Sequence, residues 1–413
     1  MRKSILACAV AAALASAGNA MAGGLWLNEY GDFSGGRASA GGSAGVNDAS
    51  TIMHNPASST RLKGNQLFAA AGAYLPQVKF DPEYTTPELG SGNGGDAGEV
   101  APAGGTAYVH DFGSDRWSAG IYAGGLSGAG LDYDDDWVGR NQATKVDLLV
   151  AAVVPTLAYR VTDRLSVGVG VQYWYSDLNL HLRIPRIFQE KEQVRASVNG
   201  DDTGFAVKLG SMYELTDRTR FGITYQSEID PEYEGDLKIV ASPDGGILPP
   251  NYEDSLSSTT ELTLAEYARF AMHHDMDEQW SVSLTLGWDN WSQLGDVPLS
   301  TDNRSAAVPA RWHDTYHYAW GAEYRLDQRW AFTSGVAYDT NPVDAQNRNA
   351  QLPVDRQVRY AFGTRYTLSD SLNVGGYVNY ADLGRARIES KRWGGEYQDN
   401  GALQLVANLN WTF

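Results

Sequence analysis

From Gln66 to the C-terminus the chain alternates between apolar and polar positions. Val167, Val169, Val171, Tyr173 and Tyr175 are interleaved with Gly168, Gly170, Gln172 and Trp174. Trp280, Val282, Leu284, Leu286 and Trp288 are interleaved with Ser281, Ser283, Thr285, Gly287 and Asp289, and the stretch from Tyr316 to Leu326 repeats the arrangement. A period of two is the mark of strands with one apolar face. Aromatic residues gather towards the ends of that face, and the opposite face is small, polar or charged. In a soluble sandwich the apolar face meets a second sheet; in a transmembrane barrel it meets lipid.

The breaks between strands separate these two cases. Short turns recur at Gly113-Ser114-Asp115-Arg116, Thr162-Asp163-Arg164, Thr216-Asp217-Arg218, Asp277-Glu278, Asp327-Gln328-Arg329 and Ser369-Asp370-Ser371. Between them fall long polar stretches near residues 81–101, 126–145, 183–203, 239–259, 292–313, 340–355 and 382–401. Short turns at one end and long loops at the other are the outer-membrane arrangement, and the breaks count out about fourteen strands, an even number. A soluble propeller with a repeat of roughly 50 residues explains neither this asymmetry nor the last strand. There Leu403, Leu405, Ala407, Leu409 and Trp411 alternate with polar neighbours, and the chain ends on Phe413. Such an ending resembles the signal read by the barrel-assembly machinery of outer membranes. The fold class predicted is therefore all-β, a transmembrane antiparallel barrel over residues 65–413.

The N-terminal part breaks the pattern twice. Arg2 and Lys3, an apolar stretch from Ile5 to Ala17 and Ala20-Met21-Ala22 form a secretory signal over residues 1–22. Residues 25–62 then show neither period and are rich in Gly, Ala, Ser and Asn. A segment of that length without regular structure is functional or disordered. The reading here is a hatch, residues 23–64, folded inside the barrel. A fourteen-stranded barrel has a wide lumen unless something fills it, and small residues let backbone pack closely against the wall.

Charge and cysteine narrow the function. The formal net charge is −18 and the signal carries away two cations, so nucleic acid is excluded as a partner. The single cysteine, Cys8, lies in the signal, so the mature chain has no disulfide and no thiol chemistry. No cofactor or metal site is expected. Gly41-x-Ser43-x-Gly45 has the letters of a nucleophile elbow without its strand and helix, and Gly90-x-Gly92-x-x-Gly95 lacks a βαβ unit. His273 and His274 point to opposite faces of a strand and read as periplasmic turn surface; His313 and His317 read as a loop base or a lumenal pair. Asp132-Tyr133-Asp134-Asp135-Asp136 reads as a solvated acidic loop, bridged by divalent ions to lipopolysaccharide. Arg37, a charge inside the hatch, needs a carboxylate, and Glu29, Asp32 and Asp48 are nearest in sequence.

Several stretches, in order, carry a family resemblance: Leu27-Asn28-Glu29, Ser34-Gly35-Gly36-Arg37-Ala38, Asn47-Asp48-Ala49-Ser50 and Asn55-Pro56-Ala57, then Trp288-Asp289-Asn290-Trp291-Ser292-Gln293, Tyr338-Asp339-Thr340-Asn341-Pro342-Val343 and Gln346-Asn347-Arg348. Over the whole mature chain the sequence resembles the FadL family of outer-membrane channels for long-chain fatty acids and other hydrophobic compounds. Nothing in the sequence argues for an oligomer, so a monomer is expected, and the lack of a credible Ser/His/Asp or paired-carboxylate set argues against an enzyme. The resemblance implies passive, energy-independent uptake. Extracellular loops capture a hydrophobic molecule, the hatch moves, and the substrate leaves sideways at a kinked third strand. It implies Leu25, Trp26 and Leu27 as the pocket cap, and a kinked strand from Arg116 to Leu126 weakened by Gly120, Gly124 and Gly125. Asn55, Pro56 and Ala57 would abut that kink. The loop between strands five and six departs from the family's fatty-acid members: it is shortened to about Arg183–Thr203. Ile184, Ile187 and Phe188 remain to build a capture groove, with Arg183 and Arg186 to pair a carboxylate. Monoaromatic hydrocarbons are the alternative substrate class; a barrel hydrolase or an adhesin is the more distant one.

Overall fold

The computed structural model describes residues 25–184, 194–240, 251, 253–301 and 304–413. The signal segment lies outside them. Fourteen antiparallel wall strands close into a barrel. The first six are Gln66–Thr85, Ala101–His110, Trp117–Asp132, Lys145–Arg160, Leu165–Ile184 and Val194–Glu214. The next four are each interrupted: Thr219–Gln226 with Glu232–Val240, Glu253–Glu261 with Tyr267–Asp275, Trp280–Asp289 with Asp296–Thr301, and Arg304–Pro309 with Thr315–Arg325. The last four are Trp330–Asp339, Gln357–Ser369, Leu372–Asp382 and Trp393–Thr412. The ring closes between the first and last strands, from Gln66 opposite Thr412 to Thr85 opposite Trp393. No strand edge is left open along that seam.

The predicted faces hold. Val167, Val169, Val171 and Tyr173 are exposed, as are Tyr316, Tyr318 and Trp320 and, on the last strand, Leu405, Leu409 and Trp411. Their partners in the alternation are buried: Gln172 on the fifth strand, Ser281, Ser283 and Thr285 on the ninth, Gln404 and Asn410 on the fourteenth. A wall that hides its polar residues and shows its apolar ones is built for lipid outside and a filled lumen within.

The short turns are built by side chains. In two of them an aspartate, Asp277 or Asp327, accepts the backbone N–H groups of the second and third residues after it (2.7–2.8 Å). These donors hold both carboxyls below the usual range. The next strand then starts on a tryptophan that meets a tyrosine of the following strand: Trp280 with Tyr324 and Trp330 with Tyr366, each at 4.7 Å. Trp117 and Tyr159 form a third pair at 4.5 Å. Such pairs at one end of the barrel belong to the aromatic girdle of a membrane interface.

Two expectations are corrected. Several of the long polar stretches are partly strand, as at 183–203, 292–313 and 382–401, whereas 340–355 holds none. The hairpin of strands five and six runs on to Ile184 and resumes at Val194, so Arg183, Ile184 and residues 194–203 of the expected loop 183–203 are strand. Arg186, Ile187 and Phe188 lie outside the described residues, as does the side chain of Ile184. The stretch read as a loop at 292–313 is mostly strand pairing around short inward breaks. Polar composition suggested loops because strands beyond the membrane face water on both sides.

Candidate functional site

The third strand starts as an ordinary wall strand. Ala119–Gly124 pair with Gly105–His110 of the second strand. At Gly124 that pairing stops. On the other side, opposite the fourth strand, the register shifts between Gly125 and Ser127, so Leu126 is an extra, unpaired residue. One inserted residue bends a strand. From Gly124 to Leu131 every residue is buried, where alternation held before. Gly124 and Gly125 stand where the sequence placed the weakness, but Gly120 does not. Gly120 pairs regularly with Val109 and Thr156, and a Cβ there would meet Ile52 Cδ1 at 3.0 Å.

Residues 25–27 lie along the vacated edge. Trp26 bridges Ser127, Leu27 N–H donates to Leu126 O (3.0 Å), and the Ser127 hydroxyl donates to Leu25 O. Leu25, Trp26 and Leu27 are all buried. The Trp26 indole N–H donates to Ala265 O (2.7 Å), and its ring meets Tyr267 edge-on at 5.6 Å. Ala265 lies in the break of the eighth strand.

The breaks in strands eight, nine and ten turn apolar residues inwards: Leu262 and Leu264, Trp291 and Leu294, Ala310 and Trp312 are buried. With Leu148, Leu178 and Val198 from strands four to six, several of these line a cavity of about 130 Å³. Among the described residues lining it none is ionisable; the polar ones are Thr260, Asn349 and Gln351. Leu148, Leu262, Leu294 and Trp312 belong to the same continuous apolar cluster as Leu25–Leu27. The cavity and Leu25–Leu27 are thus joined by one cluster of apolar side chains. Arg183 is not available to it as a free cation. It is buried and pairs with Asp135 of the acidic loop, which also reaches Arg195 (3.6 Å).

Residues 28–62 are held against the inner wall all round. Asn28 lies between the guanidiniums of Arg269 and Arg359. Arg359 reaches Glu29 (3.4 Å) and Asp339 (2.8 Å); Asp339 also takes His317 (2.8 Å), while Arg269 pairs with Asp289 (2.8 Å). His313 stays outside with Asp344 (3.6 Å), so the two histidines form no pair. His273 is also buried, against Ser283 (2.9 Å), rather than on a turn surface. Arg37 finds its carboxylate on the wall at Glu323 (3.6 Å), not at Glu29, Asp32 or Asp48. Asp32 is taken by His54 (2.9 Å) and Ser34 N–H (2.8 Å), and Asp48 by Ser50 N–H (2.9 Å). Sequence distance misled here because closing a barrel brings remote strands to any point of the lumen.

Wall cations also bind backbone. Lys208 Nζ donates to Met53 O (2.7 Å), Arg220 to Ala44 O (2.7 Å) and Gly45 O (3.1 Å), and Arg160 to Thr60 O (2.7 Å). Each carbonyl ends one of the segment's short helical turns, where carbonyls lack partners and the dipole favours a cation. The alternation marks these residues as inward-facing, but nothing in the sequence names their partners.

Glycines set the distance between segment and wall. A Cβ on Gly222 would strike Ser43 O, one on Gly335 the backbone of Arg37, and one on Gly36 the backbone of Gly363. Gly35 lies equally close to the Tyr377 ring. Asn55-Pro56-Ala57 packs on Gly210 and Gly168 of strands six and five, with Asn55 Nδ2 donating to Ser43 O (2.7 Å) and Ser211 O (2.9 Å). It does not abut the bend of the third strand. Asn47 is exposed.

Residues 13–408 match the family described as "Outer membrane protein transport protein (OMPP1/FadL/TodX)". The chain belongs to this family. Its relatives include the long-chain fatty acid transport protein of Escherichia coli K12, 25% identical over 445 residues and 98% of each chain. Outer membrane protein P1 of Haemophilus influenzae is 25% identical over 94% of this chain and 90% of its own. Among solved structures, a Pseudomonas aeruginosa FadL homologue superposes with a TM-score of 0.85, at 20% identity over 94% of this chain and all of the other. The P. putida toluene transporter TodX gives 0.74 at 17% identity, over 94% and 99%. At those identities the superpositions speak for the fold. As a member of the family the chain is an outer-membrane barrel for hydrophobic substrates, and its homologues are channels rather than enzymes.

Proposed function

We propose that this protein is a passive uptake channel for small uncharged hydrocarbons, of single-ring size, in which residues 25–62 act as the hatch. The aliphatic cavity of about 130 Å³ without an ionisable group in its described lining carries this reading. A cavity of about 150 Å³ lined by similar side chains stays dry and takes up benzene. Each buried CH₂ contributes about 0.8 kcal/mol, so such a cavity captures its ligand by burial alone. A long-chain fatty acid, the substrate named for several relatives, brings a carboxylate for which the described lining offers no cation.

From the cavity the route runs past Leu25–Leu27 to the break between strands two and three. No energy source is needed. The network round Asn28, Glu29 and Arg37 holds the rest of the hatch, so the movable part is the cap. Cells lacking and carrying the gene, offered labelled toluene and labelled oleate separately, test the substrate class. Gene-dependent toluene uptake without oleate uptake is expected; oleate uptake alone would overturn the single-ring reading, and uptake of neither would overturn the channel.

The sideways route has its own test. Deleting Leu126 restores regular pairing with the fourth strand and takes away the bend. Toluene uptake is expected to fall by about tenfold or more, since the remaining path is a closed ladder of backbone hydrogen bonds. Unchanged uptake by a correctly inserted deletion variant would move the exit elsewhere.

A further inference from the structure

The apolar lining of the capture cavity is aliphatic except at one point. Among the described residues lining it, Trp312 alone carries an aromatic ring. The indole is buried and lies against Trp291, with ring centres 5.3 Å apart and planes at 60°. Trp291 is fully buried, so this backing cannot yield. The backbone is fixed as well. Arg311 sits in the left-handed region at φ +49°, a conformation that residues with side chains avoid and that persists where the surroundings over-determine it. His313 N–H, on the other side, donates to Pro342 O (2.7 Å). A single preorganised aromatic surface therefore faces a space lined otherwise mainly by leucine and valine, with Thr260, Asn349 and Gln351 its polar members.

Burial by itself does not tell one hydrocarbon from another of equal area. A ring does: its quadrupole pairs edge-to-face or offset with a second ring, beyond the gain from area. We infer that Trp312 is the specificity residue by which this cavity favours ring-bearing over open-chain hydrocarbons. The inference rests on the uptake of small uncharged hydrocarbons proposed above. Trp291 positions Trp312 and has no direct part in the selection.

The test uses cells carrying the full chain or its variants, matched for protein in the outer membrane, and labelled toluene and n-hexane offered separately. The parent protein is expected to favour toluene. Trp312→Leu is expected to lower toluene uptake about two- to tenfold, the span of an aromatic pair, with n-hexane uptake nearly unchanged. Trp312→Phe should restore most of the preference, whereas Leu178→Ala should lower both substrates alike. If Trp312→Leu does not accumulate in the membrane, Trp312→Met carries the same comparison. An unchanged toluene-to-hexane ratio in the leucine variant, whether both rates fall or neither does, overturns the assignment while leaving the channel standing. Uptake of neither hydrocarbon by the parent protein overturns the channel, and the assignment with it.

Discussion

Replacing Arg359 by leucine is expected to destabilise the folded barrel by about 3–5 kcal/mol, the cost of leaving buried charge without its partner. Arg359 is 2% exposed and stands between Asp339, His317 and Glu29. Without it, Asp339 keeps only His317 and Glu29 loses its cation, and both carboxyls are buried. Urea unfolding in lipid vesicles measures the loss. The double variant Arg359→Leu/Asp339→Asn removes both charges of the closest pair and should recover part of it, which a thermodynamic cycle apportions. A single-variant cost below about 1 kcal/mol would mean that the network is solvated and does not hold the segment.

The second large effect is expected from the wall glycines. Gly222→Val and Gly335→Val place side-chain carbon on backbone atoms of Ser43 and Arg37. Neither side can give way cheaply. The wall is a hydrogen-bonded ladder, and the segment is fixed by Lys208, Arg220 and Glu323. Overpacking of this kind costs about 1–3 kcal/mol, and displacing the segment is the way to relieve it. The variants should therefore pass ions in planar bilayers, in discrete steps that the parent protein lacks, and should sensitise cells to a hydrophilic antibiotic. Ala407→Val on the lipid face, where Ala407 is exposed, serves as the comparison and should do neither. A silent bilayer with both glycine variants would show that the segment has slack against the wall.

Both effects concern contacts that the sequence reading approached from one side. Small residues in the N-terminal segment suggested close packing on the wall, and Gly35 and Gly36 do lie against Tyr377 and Gly363. The matching glycines of the wall looked like unremarkable members of alternating strands. Arg37 was recognised as a charge in need of a partner, yet the partner came from the tenth strand rather than from the three carboxylates nearest in sequence. The bend of the third strand was expected from the family resemblance, with Gly120, Gly124 and Gly125 as its weak points, because loss of side chains weakens a strand locally. Its cause, the unpaired Leu126 and the capture of Trp26 in place of the second strand, was not.

What the sequence determined by itself is everything carried by the period of two: that the protein is a barrel of about fourteen strands, which residues face lipid, and where the first and last strands lie. Alternation is a property of neighbouring residues, so it survives without knowledge of the fold. The tertiary structure decided which inward residues meet, that the interrupted strands eight to ten turn apolar groups into the lumen, and that these join Leu148, Leu178 and Val198 round one cavity. Those pairings depend on the register at which the ring closes. Register is set by the sum of many weak contacts between strands remote in sequence, and no single stretch of the chain contains it.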